Sequence, residues 1–382
     1  MSLICDKLKE LATIPFKSKE DAKAESNVVQ KQSAGDGSVQ VQANNINYIV
    51  GIDENRAREI AREVYENLRG VAVAEATNVA LDRVRCFENE MIARLNNVEG
   101  ALNEFKKPEF QHMIGKAQRV ATLTERKSDY DLLAELLACR LEKGGERKVD
   151  ASISHAVEIV NEVDDDALCA LTVVHTICQF IPASGDITIG LNKLDELFES
   201  LLCCELPTGS VWVEHLEMLN LIRVSIYGSM RNFEDIYCNN LDGYLCVGIK
   251  KNSEEFIKAV NILKVIGFQN NCLVEHCLLE GYVRLPVVQR SRIKELRYND
   301  GRLLCSEHID ELNRIWELYS KDSTLVNEVR KNFLIELDKR NHLTIVKEWW
   351  NKINIGFDIK QSGKILAHVN AKRLNKNLPD LI

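Results

Sequence analysis

Apolar residues recur at alternating steps of three and four along residues 57–105, and this is the most regular pattern in the chain. The positions are Ala57, Ala61, Val64, Leu68 and Val71, resuming after a looser stretch as Ala80, Val84, Phe87, Met91, Leu95, Val98, Leu102 and Phe105. A narrow repeat of this kind is typical of a helix that pairs in a coiled coil. We therefore predict one long oligomerisation helix, or two abutting helices, over residues 53–106. A long helix packed along its own domain is the alternative.

A periodicity of two residues precedes this helix. Val39 and Val41 alternate with glutamines, and Ile46 and Tyr48 follow two asparagines. Such alternation predicts a short β ribbon over residues 38–52. An isolated pair of strands is only marginally stable in water, so we expect other copies of the chain, or the main body, to complete it. For residues 1–37, which come before the ribbon, we predict an N-terminal helix followed by a flexible polar linker.

Short amphipathic helical patterns follow one another from Pro108 to the C-terminus. Proline and glycine are scarce, with 6 and 19 of 382 residues, which favours long helices over a turn-rich fold. The predicted fold class is mostly α: a multi-helix globule with a long N-terminal coiled-coil-like helix and a short β ribbon. We divide its remainder into a helical body, residues 107–300, and a C-terminal helical, winged-helix-like unit, residues 301–382. One hairpin is predicted over residues 236–247, around Asp242-Gly243.

Charge, apolar segments and cysteine content exclude some classes of protein and indicate a cellular location. A net charge of −8 argues against a protein that coats nucleic acid. The longest apolar stretch, residues 167–183, is interrupted by polar residues and is shorter than the ~20 residues of a membrane span, so no span is expected. The first residues lack the apolar core of a signal peptide. Twelve scattered cysteines, among them Cys139, Cys169, Cys178, Cys203 and Cys204, indicate buried thiols in a reducing compartment, so we expect a cytoplasmic protein.

No local motif dictates a chemistry. The sequence contains no GxSxG, no GxGxxG and no paired CxxC. His175, Cys178, Cys272 and His276 are the one set that could supply four metal ligands, but their spacing is not that of a zinc site, and buried structural roles are favoured. We therefore predict no catalytic residue, no metal and no cofactor.

Two segments, 357–374 and 35–60, carry a family resemblance. The first reads FDIKQSGKILAHVNAKRL and the second GDGSVQVQANNINYIVGIDENRAREI. Together they resemble a poorly characterised family of helical bacterial proteins, and the closing segment is also similar to the endings of several abortive-infection and phage-defence-associated proteins. The resemblance implies bacterial origin, cytosolic location and a role in defence against phage. Gly363 and Ala367 fit this pattern and allow close helix packing, whereas Lys360 stands where the pattern has Thr.

Our principal functional prediction is a non-catalytic, homo-oligomeric helical interaction protein. Its partners would be further copies of itself and a phage or host protein. The residues expected to assemble it are Val39, Val41, Ile46, Tyr48, Leu68, Val84, Phe87, Met91, Leu95 and Val98.

Two basic segments support an alternative function. Arg290 and Arg292 lie in the first segment, and Lys364, Lys372 and Arg373 lie in the second. Lys and Arg side chains bind nucleic-acid phosphates with release of counterions. The alternative is therefore a nucleic-acid-binding regulator that acts through a basic C-terminal winged-helix-like unit.

Overall fold

The computed structural model of the protein describes residues 54–96, 98, 101–143, 145–225, 228–267, 272–298 and 301–380. The ribbon prediction, with Val39, Val41, Ile46 and Tyr48, lies outside the described residues. The described part of the chain is mostly helical, which confirms the predicted fold class. Within these ranges, no helix combines the length and apolar character needed to cross a bilayer.

The first half of the fold is entirely helical. Its helices are α1 (Glu54–Leu95), α2 (Ala101–Glu104), α3 (Pro108–Leu123), α4 (Lys127–Lys143), α5 (Arg147–Glu158), α6 (Asp165–Gln179), α7 (Ile187–Leu201) and α8 (Val211–Met218).

The second half mixes helices with short strands. In chain order these are β1 (Ile222–Val224), α9 (Phe233–Asn240), α10 (Asp242–Leu245), β2 (Ile249–Lys250), α11 (Glu254–Val265), β3 (Val274–Glu275), β4 (Tyr282–Arg284), a 3-10 helix (Arg290–Glu295), α12 (Ser306–Glu317), α13 (Ser323–Asp338), α14 (Asn341–Trp350), β5 (Phe357–Ile359) and α15 (Gln361–Leu374). Strands β1 and β5 pair antiparallel, and a second sheet has the order β2-β4-β3.

Helix α1 ends earlier than predicted and has two different environments. It stops at Leu95, and the short helix α2 follows after a break. Its C-terminal half packs on α3 and α4 and buries Phe87, Met91 and Leu95 in the core of the same chain. This corrects the assignment of those three side chains to an intermolecular seam, because they are already covered within the chain.

Helix α15 lies at the centre of the main bundle, packed on α4, α5 and α6. A Cβ atom at Gly363 would lie 2.3 Å from the carbonyl oxygen of Leu221, so only glycine permits this approach. Ala367 is fully buried, and the predicted close packing of these two residues is confirmed. Because the last helix is internal to the bundle, residues 301–382 are not a separate winged-helix-like unit, which corrects that prediction.

A smaller core forms around the three-stranded sheet, α11, α12 and the 3-10 helix. Arg284 links it to the main bundle: the buried guanidinium donates hydrogen bonds to the carbonyls of Gly243, Val287 and Gly185. The hairpin predicted over residues 236–247 is wrong, since α9 and α10 occupy this segment. Phe233 and Tyr237, one helical turn apart, stack at 4.5 Å between ring centroids and are buried, which favours the helix over the strand.

Candidate functional site

The N-terminal half of α1 presents apolar side chains to solvent. Val64, Tyr65, Leu68, Val71 and Val79 are each between 49% and 65% exposed. At about 100° per residue, these five side chains fall within an arc of roughly 120° on the helix surface. We call this surface the α1 face.

The α1 face is not a continuation of the buried side of the same helix. Phe87, Met91 and Leu95 are centred roughly 140° away from it around the helix axis. The two halves of α1 therefore direct their apolar residues to different places: one towards the chain's own core and the other outward. Of the residues predicted to assemble the protein, Leu68 lies on the exposed face, while Val84 and Val98 are half-buried.

A cluster of three thiols, which sequence reasoning missed, lies beside the main bundle. Cys169 is on the second turn of α6, and Cys203 and Cys204 follow the C-terminal end of α7. Their Sγ atoms all lie within 4.8 Å of one another. Cys169 is buried as predicted, whereas Cys204 is half-buried and Cys203 is exposed. The adjacent pair Cys203-Cys204 was the only local signal, because Cys169 joins it solely through the packing of α6 on α7.

The thiols of this cluster differ in acidity. A hydrogen bond from Cys169 lowers the pKa of Cys203 to about 6, against an ordinary value near 9. The same hydrogen bond, followed by burial, raises the pKa of Cys169, and burial raises that of Cys204. Among the three thiols, Cys203 is therefore the most acidic.

The structure does not bring together His175, Cys178, Cys272 and His276. His175 packs edge to face against the ring of His368, with 5.7 Å between centroids. Cys272 is buried in the smaller core. His276 is held by the carbonyl of Cys246, 2.7 Å from its Nε2. Burial lowers the pKa of His175 to about 3 and that of His276 to about 4, so both imidazoles are neutral core groups.

A cleft of about 390 Å³ opens beside the β1–β5 pair. Its lining includes Cys178, Ser225, Ser229, Arg231 and Asp358. Burial raises the pKa of Cys178, which disfavours a thiolate nucleophile there. The cleft therefore offers polar contacts to a small molecule, and its single thiol is poorly activated for attack.

The predicted phosphate-binding residues are divided between the two cores. Arg290 and Arg292 form ion pairs with glutamates at 2.7 and 3.8 Å. Lys372 pairs with two carboxylates, and Arg373 donates to an amide oxygen on its own helix. Lys364 is exposed on α15. Partners within the chain thus already occupy four of these five cations, so the structure does not assemble them into one basic surface.

Comparison with curated proteins and with solved structures finds no match. The model of one protein family does match, over residues 51–381. The match begins just before α1 and continues past α15, so it includes both halves of α1, the thiol cluster and the two cores. The chain therefore belongs to this family, which is uncharacterised.

Proposed function

We propose that this protein is a non-catalytic helical interaction protein that self-associates through the α1 face. The observation that carries this proposal is the outward position of five large apolar side chains on a helix whose other half buries Phe87, Met91 and Leu95 in the core of the same chain. A contiguous exposed apolar surface is typical of a protein interaction site.

A second copy of the same chain is the occupant that we propose for this face. Val64, Leu68 and Val71 follow one another at steps of four and three, the spacing with which a helix packs along a similar helix. Arg62 and Glu66, which form an exposed ion pair at 3.4 Å, supply both signs of charge to the same part of the helix. A two-fold axis makes one apolar patch complementary to itself, so no further surface is needed.

The test is the mass of the full chain in solution, measured by size-exclusion chromatography with light scattering. We expect a multiple of 43.4 kDa for the natural chain, and a monomer for the double variant Leu68→Glu/Val71→Glu, because two carboxylates would be desolvated in the interface. Val73→Glu is the matched control: Val73 is 57% exposed on the same helix but roughly 140° from Leu68 around the axis. Its oligomer should persist.

Two results would contradict the proposal: a natural chain that is monomeric, or an oligomer that the double variant leaves intact. A chain beginning at Asp53 separates the contribution of residues 1–52, which include the predicted ribbon, from that of the α1 face. If this shorter chain alone becomes monomeric and the double variant does not, the predicted ribbon is the assembly element instead.

The resemblance of residues 357–374 to the endings of phage-defence-associated proteins supports a role in defence as the biological setting. Bacteria that produce the natural chain should then show fewer phage plaques than bacteria with an empty vector. Protection should be lost with Leu68→Glu/Val71→Glu and kept with Val73→Glu. Equal protection by both variants would show that defence does not depend on self-association.

The alternative function, a nucleic-acid-binding regulator, has its own test. Salt-dependent binding of the chain to duplex DNA that Lys364→Glu abolishes would favour this alternative.

A further inference from the structure

The Cys169, Cys203 and Cys204 thiols have the arrangement of a preformed ligand set. They come from two elements, the second turn of α6 and the segment after α7, so their positions are fixed by the packing of these helices. Cys169 is 1% exposed and donates to the carbonyl of Leu201 at 3.5 Å. The Cys204 thiol lies 3.7 Å from the carbonyl of Asp165. Backbone carbonyls therefore orient both thiols in the protonated chain, and metal binding would replace these two S–H···O hydrogen bonds with sulfur–metal bonds.

The distances between the sulfur atoms suit a common metal ion. Tetrahedral zinc with bonds of about 2.3 Å places its sulfur ligands about 3.8 Å apart. The three Sγ atoms lie within 4.8 Å of one another. Closing the set around an ion thus requires movements of about 1 Å or less. Within the described residues, this is the single group of three or more metal-ligating side chains at such distances.

Charged side chains of both signs lie near the cluster. Three thiolates and one divalent ion carry a net charge of −1, and Arg373 acts on Cys203 electrostatically with a compensating positive charge. Asp166 lies near Cys204 and attracts a cation to the same position. Cys203 is exposed, so a fourth coordination position would face solvent.

We propose that Cys169, Cys203 and Cys204 bind one thiophilic divalent metal ion of the zinc class, with a water molecule or an exogenous ligand in the fourth position. Binding replaces each sulfur-bound proton with the metal and releases those protons to solvent, with no change of oxidation state. The ion would tie the N-terminal part of α6 to the C-terminal end of α7. Soft thiolates select zinc over magnesium or calcium, which prefer oxygen ligands.

The experiment uses the full chain, purified in a non-thiol reductant and dialysed against Zn²⁺, then against metal-free buffer. Elemental analysis should give one zinc per chain. In a parallel titration with Cd²⁺, a sulfur-to-metal charge-transfer band should rise and saturate at one equivalent, which identifies thiolate ligands. Cys203→Ser and Cys204→Ser should each lower the affinity by at least about 100-fold, because loss even of outer-shell partners costs 10–100-fold.

Cys305→Ser is the matched control. Cys305 is also exposed, and it lies at the N-terminal boundary of α12, in the part of the chain that builds the smaller core. This variant should keep stoichiometric zinc and the full Cd²⁺ band. Without metal, Cys203→Ser and the natural chain should unfold at the same temperature. This result would show that the variant loses zinc binding without losing its fold. Absence of bound zinc in the reduced natural chain, or undiminished binding by Cys203→Ser and Cys204→Ser, would overturn the proposal.

Discussion

His175 should make the stability of this protein fall as the solution is acidified. Its side chain is 3% exposed, and burial lowers its pKa from 6.5 to about 3 in the folded chain. Between these values the unfolded chain binds a proton that the folded chain does not, so the free energy of unfolding decreases as pH falls below about 6.5. The positive charges that His368 and Lys364 can carry further disfavour its protonation.

The size of this loss in unfolding free energy follows from the difference between the solution pH and the pKa of the unfolded side chain. At pH 5 the solution is 1.5 pH units below the unfolded pKa, and each unit is worth about 1.4 kcal/mol, so His175 alone costs about 2 kcal/mol relative to neutral pH. His276, whose pKa burial lowers to about 4, adds a similar cost. The natural chain should therefore lose about 4 kcal/mol from these two groups between pH 7.5 and pH 5.

The perturbation is His175→Leu. Both ring nitrogens of His175 are buried without a hydrogen-bond partner among the described residues, so at neutral pH the substitution breaks no hydrogen bond. Urea unfolding at pH 7.5 and pH 5, followed by far-UV circular dichroism, measures the free energy of unfolding at each pH. The pH-dependent loss should shrink by about 2 kcal/mol in the variant. Exposed His112→Leu is the control, and an acid-induced loss in His175→Leu equal to that of the natural chain would refute the reasoning.

Three further substitutions test the packing. Gly363→Ala should lower the free energy of unfolding by about 1–3 kcal/mol, because the new methyl group meets the Leu221 carbonyl; an unchanged urea midpoint would contradict this. Arg284→Met should cost roughly 3 kcal/mol or more, because three or more buried carbonyls lose a charged donor, and increased protease cleavage between the two cores would report it. Asp186→Ala should cost about 1 kcal/mol in thermal or urea unfolding, because the Asp186 carboxylate caps α7 by accepting from the Ile189 amide at 2.8 Å; an unchanged melting temperature would exclude this cap as a source of stability.

Local sequence patterns were sufficient to predict where helices form, but they did not predict what each helix packs against. The 3–4 repeat predicted α1, yet the repeat is interrupted between Val71 and Ala80, and the apolar side of the helix faces solvent at Leu68 and the core at Phe87. Periodicity reports which residues share a side of a helix, and it does not say what covers that side. The predicted hairpin at residues 236–247 failed for a related reason, since the stacking of Phe233 on Tyr237 overrode the strand preference of individual residues.

The sequence by itself determined a mostly helical fold and the long helix, because these depend on residue type and short spacing. Only the tertiary structure decided that Phe87, Met91 and Leu95 are covered by their own chain, that α15 is internal, and that Cys169 meets Cys203 and Cys204. The physical reason is that each of these depends on contacts between helices distant in sequence. Such contacts are specified by the complementary packing of whole surfaces, which no local pattern encodes.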